Sequence, residues 1–244
     1  MTTPIHWLLH TADPPTLEAW AWTNLAPAER AHLAALRFEN RRDSFLLGRC
    51  AAKTLISRAI PALGALSPAN IAIHNQPDGA PYVEIEGAGR LPGCLSLSHR
   101  DGRAACAWSA DPALRHGIDL ERIESRHPAF AGDYLTTAEN AFAITLPESQ
   151  RPLWITLAWS AREAALKALG TGLRLDTRRL AVSLPELAAL EPAGVWQPLA
   201  IAVDAGAPAV LPGWWQRRGE FMLTLVTMGS TPDIALVEHM SPSG

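Results

Sequence analysis

His116-Gly117-Ile118-Asp119-Leu120-Glu121 and Trp159-Ser160-Ala161-Arg162-Glu163-Ala164-Ala165-Leu166-Lys167-Ala168-Leu169-Gly170 are the two stretches on which the reading of this chain turns. The first alternates apolar and acidic residues. In an extended strand alternate side chains share a face, so Asp119 and Glu121 point one way while Ile118 and Leu120 point into a core. The second has helical spacing, and positions four apart share a helix face. Glu163 and Lys167 then sit together one turn apart, and Trp159, Leu166 and Leu169 give the helix a buried side. Strand carboxylates opposed to a helix carboxylate and a lysine suit a hard divalent cation and a phosphate. The competing local readings are a solvated edge-strand face for Asp119 and Glu121, and an ordinary surface ion pair for Glu163 and Lys167. Aspartate inside a strand competes with the backbone and is disfavoured there, which keeps the functional reading of Asp119 alive.

Working outward, residues 153–169 read as a helix that Gly170 and Gly172 end, preceded by a helix at 138–145. Strands are predicted at 116–123, 180–184, 198–203, 221–226 and 234–237. Upstream, 5–9 reads as a strand. A helix opens at Pro27, and Asn40 is placed to cap a second helix over 41–60 that Pro61 stops. Strands follow at 71–74 and 82–86 around Pro77-Asp78-Gly79, and at 95–98 and 104–108 around Asp101-Gly102, a strong hairpin signal. Each half runs from a long helix into three or four strands. The expected organisation is therefore two similar α+β halves, 1–113 and 114–244, joined near 111–116. No residue-level repeat is visible.

The 244 residues suffice for a sizeable core. At 48% hydrophobic and 18% charged the chain is not a disordered one, and a net charge of −3 argues against a general nucleic-acid binder. No stretch approaches the roughly 20 apolar residues that span a membrane, and the N-terminus lacks a signal-like run. Cys50, Cys94 and Cys106 have no metal or disulfide spacing and read as small buried hydrophobes. A cytoplasmic protein is expected.

Other candidates are weaker alone. Ser98 and His99 end a strand where they can donate to a phosphate. Gly79-Ala80-Pro81 reads first as a hairpin turn. Arg30, Arg41, Arg42, Arg49 and Lys53 put basic groups on the first helices, ordinarily a solvated face.

Taken together, these segments resemble the phosphopantetheinyl transferases of the broad-specificity, surfactin-synthetase-activating type. Gly117-Ile118-Asp119-Leu120-Glu121 is similar to the family's Gly-(Ile/Val)-Asp-(hydrophobic)-Glu strand. Trp159 to Lys167 is similar to its Trp-(Ser/Cys/Thr)-x-Lys-Glu-(Ala/Ser)-x-x-Lys helix. Gly79-Ala80-Pro81, Leu95-Ser96-Leu97-Ser98-His99, Asp43 to Arg49 and Tyr134 to Glu139 resemble further family segments in the right order. The resemblance implies two α+β halves related by pseudo-twofold symmetry on one chain, acting as a monomer with coenzyme A between them. It implies transfer of 4′-phosphopantetheine from coenzyme A to a serine of an acyl or peptidyl carrier protein. It assigns Asp119, Glu121 and Glu163 to magnesium, with manganese as an alternative, and Lys167 to the pyrophosphate. Ser98, His99, Gly79 and Pro81 match coenzyme contacts, with Arg30 or His32 as the N-terminal basic contact. Ala80 departs from the family's basic residue, and Arg162 replaces its helix lysine. No nucleic acid or membrane partner is implied.

For such a reaction Glu163 is the best candidate base and Lys167 a fixed positive charge beside it. Arg122, Arg126 and Phe130 are candidates for meeting an acidic carrier surface. The alternatives are a member that binds coenzyme A or carrier proteins without transfer, and a metal-dependent phosphohydrolase.

Overall fold

A long helix laid on an antiparallel sheet occurs twice along the chain. The computed structural model describes residues 2–184, 194–204, 209–228 and 234–240. The first pass contains strand β1 (Thr3–Thr11), helices α1 (Pro14–Asn24), α2 (Pro27–Ala35) and α3 (Glu39–Ala59), then β2 (Ile71–Asn75), β3 (Pro81–Ile85), β4 (Gly89–Arg90), β5 (Cys94–Arg100) and β6 (Arg103–Ser109). The second contains β7 (Arg115–Arg122), α4 (Ala129–Tyr134), α5 (Thr137–Thr145), α6 (Arg151–Leu169), β8 (Leu180–Ser183), β9 (Gln197–Val203), β10 (Ala209–Arg218) and β11 (Phe221–Met228), and β12 (Ile234–Glu238) follows. The fold is α+β. No helix among the described residues is long and apolar enough to cross a membrane.

The chain forms two compact units, Met1–Leu114 with Ser230–Gly244, and Arg115–Gly229. The first unit has sheets of order β12-β1-β6-β5 and β2-β3-β4, and the second has one sheet of order β7-β11-β10-β9-β8. The expected division at 113/114 thus needs a correction at its far end. Strand β12 returns to the first unit and pairs in parallel with β1, from Thr3↔Ile234 to Trp7↔Glu238. Alternation within 234–237 identifies a strand but carries no information about its partner.

Each unit is tied at the same place by a buried glutamate. In the first, Glu29 lies in the opening turn of α2 and accepts from the Ala26 N–H (2.8 Å) and from the Ile73 N–H of β2 (2.9 Å), 44 residues away. Lys53 of α3 pairs with it at 2.6 Å and donates to the carbonyls of Asn24 (2.7 Å) and Pro68 (2.9 Å). In the second, Glu139 lies in the opening turn of α5 and accepts from the Thr136 N–H (2.8 Å) and the Val182 N–H of β8 (2.7 Å), 43 residues away. Arg162 of α6 pairs with it and donates to the carbonyls of Ala158 (2.8 Å) and Thr177 (3.1 Å). Glu29, Lys53, Glu139 and Arg162 are all buried. A buried charge is tolerated only when paired and hydrogen-bonded; here one carboxylate joins two helices and a strand. This is the residue-level repeat that the sequence conceals, because its two cations differ and its donors are backbone groups.

Helix α6 lies close on β7. A Cβ on Gly117 would collide with the Ala164 carbonyl oxygen and lie 2.7 Å from the Lys167 Cβ, so glycine there is what lets helix and strand approach. Gly170 ends α6 as expected, in the left-handed conformation at φ 68° with its N–H returned to the Leu166 and Lys167 carbonyls. Asp101 and Gly102, at φ 46° and 72°, form the expected tight turn between β5 and β6. Several elements differ from expectation. Asn40 is not a cap, since α3 starts at Glu39 with Phe38 at the N-cap. Helices α1 and α4 are additional. Strand β10 is also additional; it contains Pro212-Gly213, and Gly213 is packed between the Leu199 side chain and the Leu225 carbonyl.

Replacing Arg162 by methionine leaves Glu139 buried without its countercharge. The expected loss is about 3–5 kcal/mol in urea unfolding; a change below 1 kcal/mol would show that the pair does not hold the second unit. Gly117→Ala is expected to cost about 1–3 kcal/mol by overpacking, measured the same way.

Candidate functional site

Strand β7 places Gly117, Asp119 and Glu121 on the face that meets α6. Ile118 and Leu120 are buried on the other face. They lie outside the hydrophobic cluster that α6 forms with β8 to β11, so the core they were expected to enter is not the one beneath the helix. Asp119 is 4% exposed. Its Oδ2 accepts from the Ser160 hydroxyl (2.8 Å), and its Oδ1 from Lys167 Nζ (2.8 Å). Lys167 Nζ also donates to the Ile118 carbonyl (3.0 Å). Ser160 is in turn 2.9 Å from the hydroxyl of Thr224, the residue opposite Asp119 on β11. The aspartate is therefore fixed in position and charge-balanced from the helix.

Glu121 is held from the other side. Its Oε1 accepts from the Trp159 indole N–H (2.9 Å), and its Oε2 from Arg126 (2.8 Å). Arg126 lies over the Phe130 ring at 4.7 Å, and Phe130, Tyr134 and Trp159 pack mutually with centroids 4.8–5.3 Å apart. Of the residues expected to meet an acidic carrier surface, Arg126 is engaged by Glu121, Phe130 lies under its guanidinium, and Arg122 is paired with Glu220 at 2.9 Å on the surface.

Glu163 differs from both. It makes no hydrogen bond or ion pair with any described residue. Burial pushes its carboxyl above the ordinary value of 4.5, the charge of Asp119 pushes it further, Lys167 pulls it back, and Glu121 adds a smaller upward push. The i,i+4 partner expected for Glu163 is thus a neighbour in the field, while the hydrogen-bonded ion pair of Lys167 is with Asp119. Arg162, one residue earlier, belongs to the buried Glu139 network rather than to the site.

Three hard oxygen donors facing one lysine, with like charges raising the one unpartnered carboxyl, are suited in chemistry to a divalent cation. Among the described residues, no group of three or more His, Cys, Asp or Glu side chains is already gathered as a metal cage. Ser160, Thr224, Trp159 and Arg126 orient the carboxylates, a role that the sequence reading gives to none of them. Ser160 and Trp159 lie inside the quoted helix motif, whereas Thr224 gives no local sign, because only strand pairing brings it opposite Asp119.

The other expected residues lie in the first unit. Gly79 sits in the turn before β3 at φ 92° with its N–H on the Gln76 carbonyl (2.8 Å), and Pro81 opens β3. Ser98 and His99 lie on β5, an edge of its sheet, with His99 exposed. Arg30 turns back to the Trp22 carbonyl (3.2 Å), and His32 packs on Phe45 with centroids 5.0 Å apart. Cys50 and Cys106 are buried and Cys94 is partly so.

Residues 115–198 match the family model described as the 4′-phosphopantetheinyl transferase superfamily. A phosphopantetheinyl transferase of Thraustochytrium sp. is 26% identical over 196 residues, covering 74% of this chain and 63% of the relative. The 4′-phosphopantetheinyl transferase HetI of Nostoc sp. is 26% identical over 202 residues, covering 80% of this chain and 81% of the relative. A holo-[acyl-carrier-protein] synthase of Streptococcus pyogenes is 39% identical over 64 residues, covering 24% of this chain and 54% of the relative. The matched part of the chain thus spans a little under two thirds of the first relative and about half of the third. The family model thus covers the part of the chain that carries β7 and α6.

Proposed function

We propose that this chain transfers 4′-phosphopantetheine from coenzyme A to a serine of an acyl or peptidyl carrier protein, with magnesium, or manganese, as the working cation. The observation that carries this reading is the convergence of Asp119 and Glu121 from β7 with Glu163 and Lys167 from α6 in the segment that matches the superfamily. The relatives' names and the family model support phosphopantetheinyl transfer as the activity. Coenzyme contacts at Gly79, Pro81, Ser98 and His99 and at Arg30 or His32, action as a cytoplasmic monomer, and membership of the surfactin-synthetase-activating type are parts of the same proposal and rest on the sequence resemblance.

In the transfer, the serine oxygen forms a bond to the phosphorus that bears pantetheine. The bond from that phosphorus to the bridging oxygen breaks, and adenosine 3′,5′-bisphosphate leaves. Asp119 and Glu163, with Glu121, would hold the cation, which supplies charge neutralisation for the pyrophosphate oxygens. Lys167 adds a fixed positive charge on the same side. Ser160 and Trp159 keep the strand carboxylates from rotating away. Glu163 takes the serine proton.

Apo carrier protein, coenzyme A and magnesium incubated with the chain should yield a carrier heavier by one phosphopantetheine unit. Coenzyme A consumed with an unlabelled carrier would point to a hydrolase, and binding without turnover to a non-catalytic member. Asp119→Ala and Glu163→Ala are expected to slow labelling at least ~100-fold, since about 4 kcal/mol of cation stabilisation corresponds to roughly a thousandfold in rate. Near-normal labelling by either folded variant would remove that residue from the site.

Glu163 also predicts a pH effect. A carboxyl whose folded pKa is raised binds its proton more tightly when folded, so stability falls as pH rises from the ordinary value of 4.5 through the raised one. Glu163→Gln should therefore melt higher than wild type at pH 7.5, with the gap closing as pH falls towards 4.5. Magnesium should raise the wild-type midpoint and leave the variant almost unmoved. A variant that melts no higher at pH 7.5, or that keeps the full magnesium shift, contradicts this.

A further inference from the structure

A cavity of about 320 Å³ lies among α1, α2 and α3 of the first unit. Its buried lining is apolar, with Ala21, Leu25 and Leu46 at 7%, 0% and 1% exposure. Trp22 also lines it and is 80% exposed. A large indole left in solvent beside an apolar hollow is unusual, since burying it would be strongly favourable.

Two guanidinium groups line the same cavity. Arg30 uses Nη1 to cap the Trp22 carbonyl in the last turn of α1 (3.2 Å), and Arg42 uses Nη1 to cap the Leu33 carbonyl in the last turn of α2 (3.0 Å). One bond each tethers these long side chains, and a guanidinium carries five N–H donors. The remaining donors of both have no hydrogen-bond partner among the described residues. Glu18 lines the cavity too but pairs with neither arginine, so the balance is one positive charge in excess.

We propose that this cavity binds a small amphipathic carboxylate, its apolar body on Ala21, Leu25 and Leu46 beneath the Trp22 ring and its carboxylate on Arg30 and Arg42. Tethered guanidinium groups recognise a planar carboxylate through paired N–H donors. The volume lies at the small end of the range for small-molecule sites, which fits a short acyl or single-ring body. The cavity is lined by none of Gly79, Pro81, Ser98 or His99, and Arg30 is the one residue it shares with the coenzyme contacts that the resemblance implies.

The probes are octanoate and octanol, titrated calorimetrically into the full chain with and without excess coenzyme A. Octanoate should bind at least tenfold more tightly than octanol, and coenzyme A should leave this unchanged. The double variant Arg30→Gln/Arg42→Gln should lose that preference while still binding octanol. Ala34→Phe, which fills the cavity from an exposed position, should weaken both ligands at least tenfold. Equal binding of the two probes, no binding of octanoate, retained preference in the double variant, full binding by Ala34→Phe, or displacement by coenzyme A would each overturn the proposal.

Discussion

The rest of the structure depends on a buried carboxylate in the first turn of a short helix. Glu29 and Glu139 each satisfy an N–H at the start of their own helix and one in a strand more than 40 residues downstream, and each is neutralised by a cation from the long helix between. Hydrophobic burial alone does not specify how far along a sheet a helix sits. A buried ion pair with backbone partners does, because a slip of one residue would strand a charge in the interior. In the second unit this fixes α6 rotationally, with Arg162 turned into the core and Glu163 next to it on the open side. The carboxylate that matters for chemistry is thus aimed by its neighbour in sequence.

The two units share this scaffold but not its equipment. Aligning Lys53 with Arg162 sets Thr54 against Glu163 and Arg58 against Lys167. The strand pairings agree: Leu8 faces Cys106 in the first sheet where Asp119 faces Thr224 in the second. Two residues on, His10 meets Cys50 at 3.4 Å where Glu121 meets Trp159. The first unit has leucine, histidine and threonine, none of them acidic, at the positions where the second carries Asp119, Glu121 and Glu163. Substituting acids and their hydroxyl and indole donors at these few positions is what turns a packing interface between helix and strand into a candidate cation site.

Much of this was legible in the sequence. Alternation in 116–121 and helical spacing in 159–169 placed Asp119, Glu121, Glu163 and Lys167 on facing surfaces, and glycine at 170 marked the helix end. What stayed hidden depends on partners distant in the chain. The Lys167 pair goes to Asp119 rather than to its helical neighbour, because a lysine's reach across to a buried carboxylate outcompetes a solvated i,i+4 contact. The ion pair of Arg126 with Glu121 gives no sign in the sequence either. Strand β12 gives no sign of its partner, and β10 is masked by Pro212-Gly213, residues that mark turns in most contexts.

The central claim is that one unit only has become a cation site, and that Asp119 and Glu163 make it so. Electron paramagnetic resonance of added manganese reads this directly. The account predicts one bound ion per chain, lost in Asp119→Ala/Glu163→Ala and unchanged in Leu8→Ala, which alters the matching position of the first unit. Two bound ions, none, or an ion retained in the double variant would contradict it.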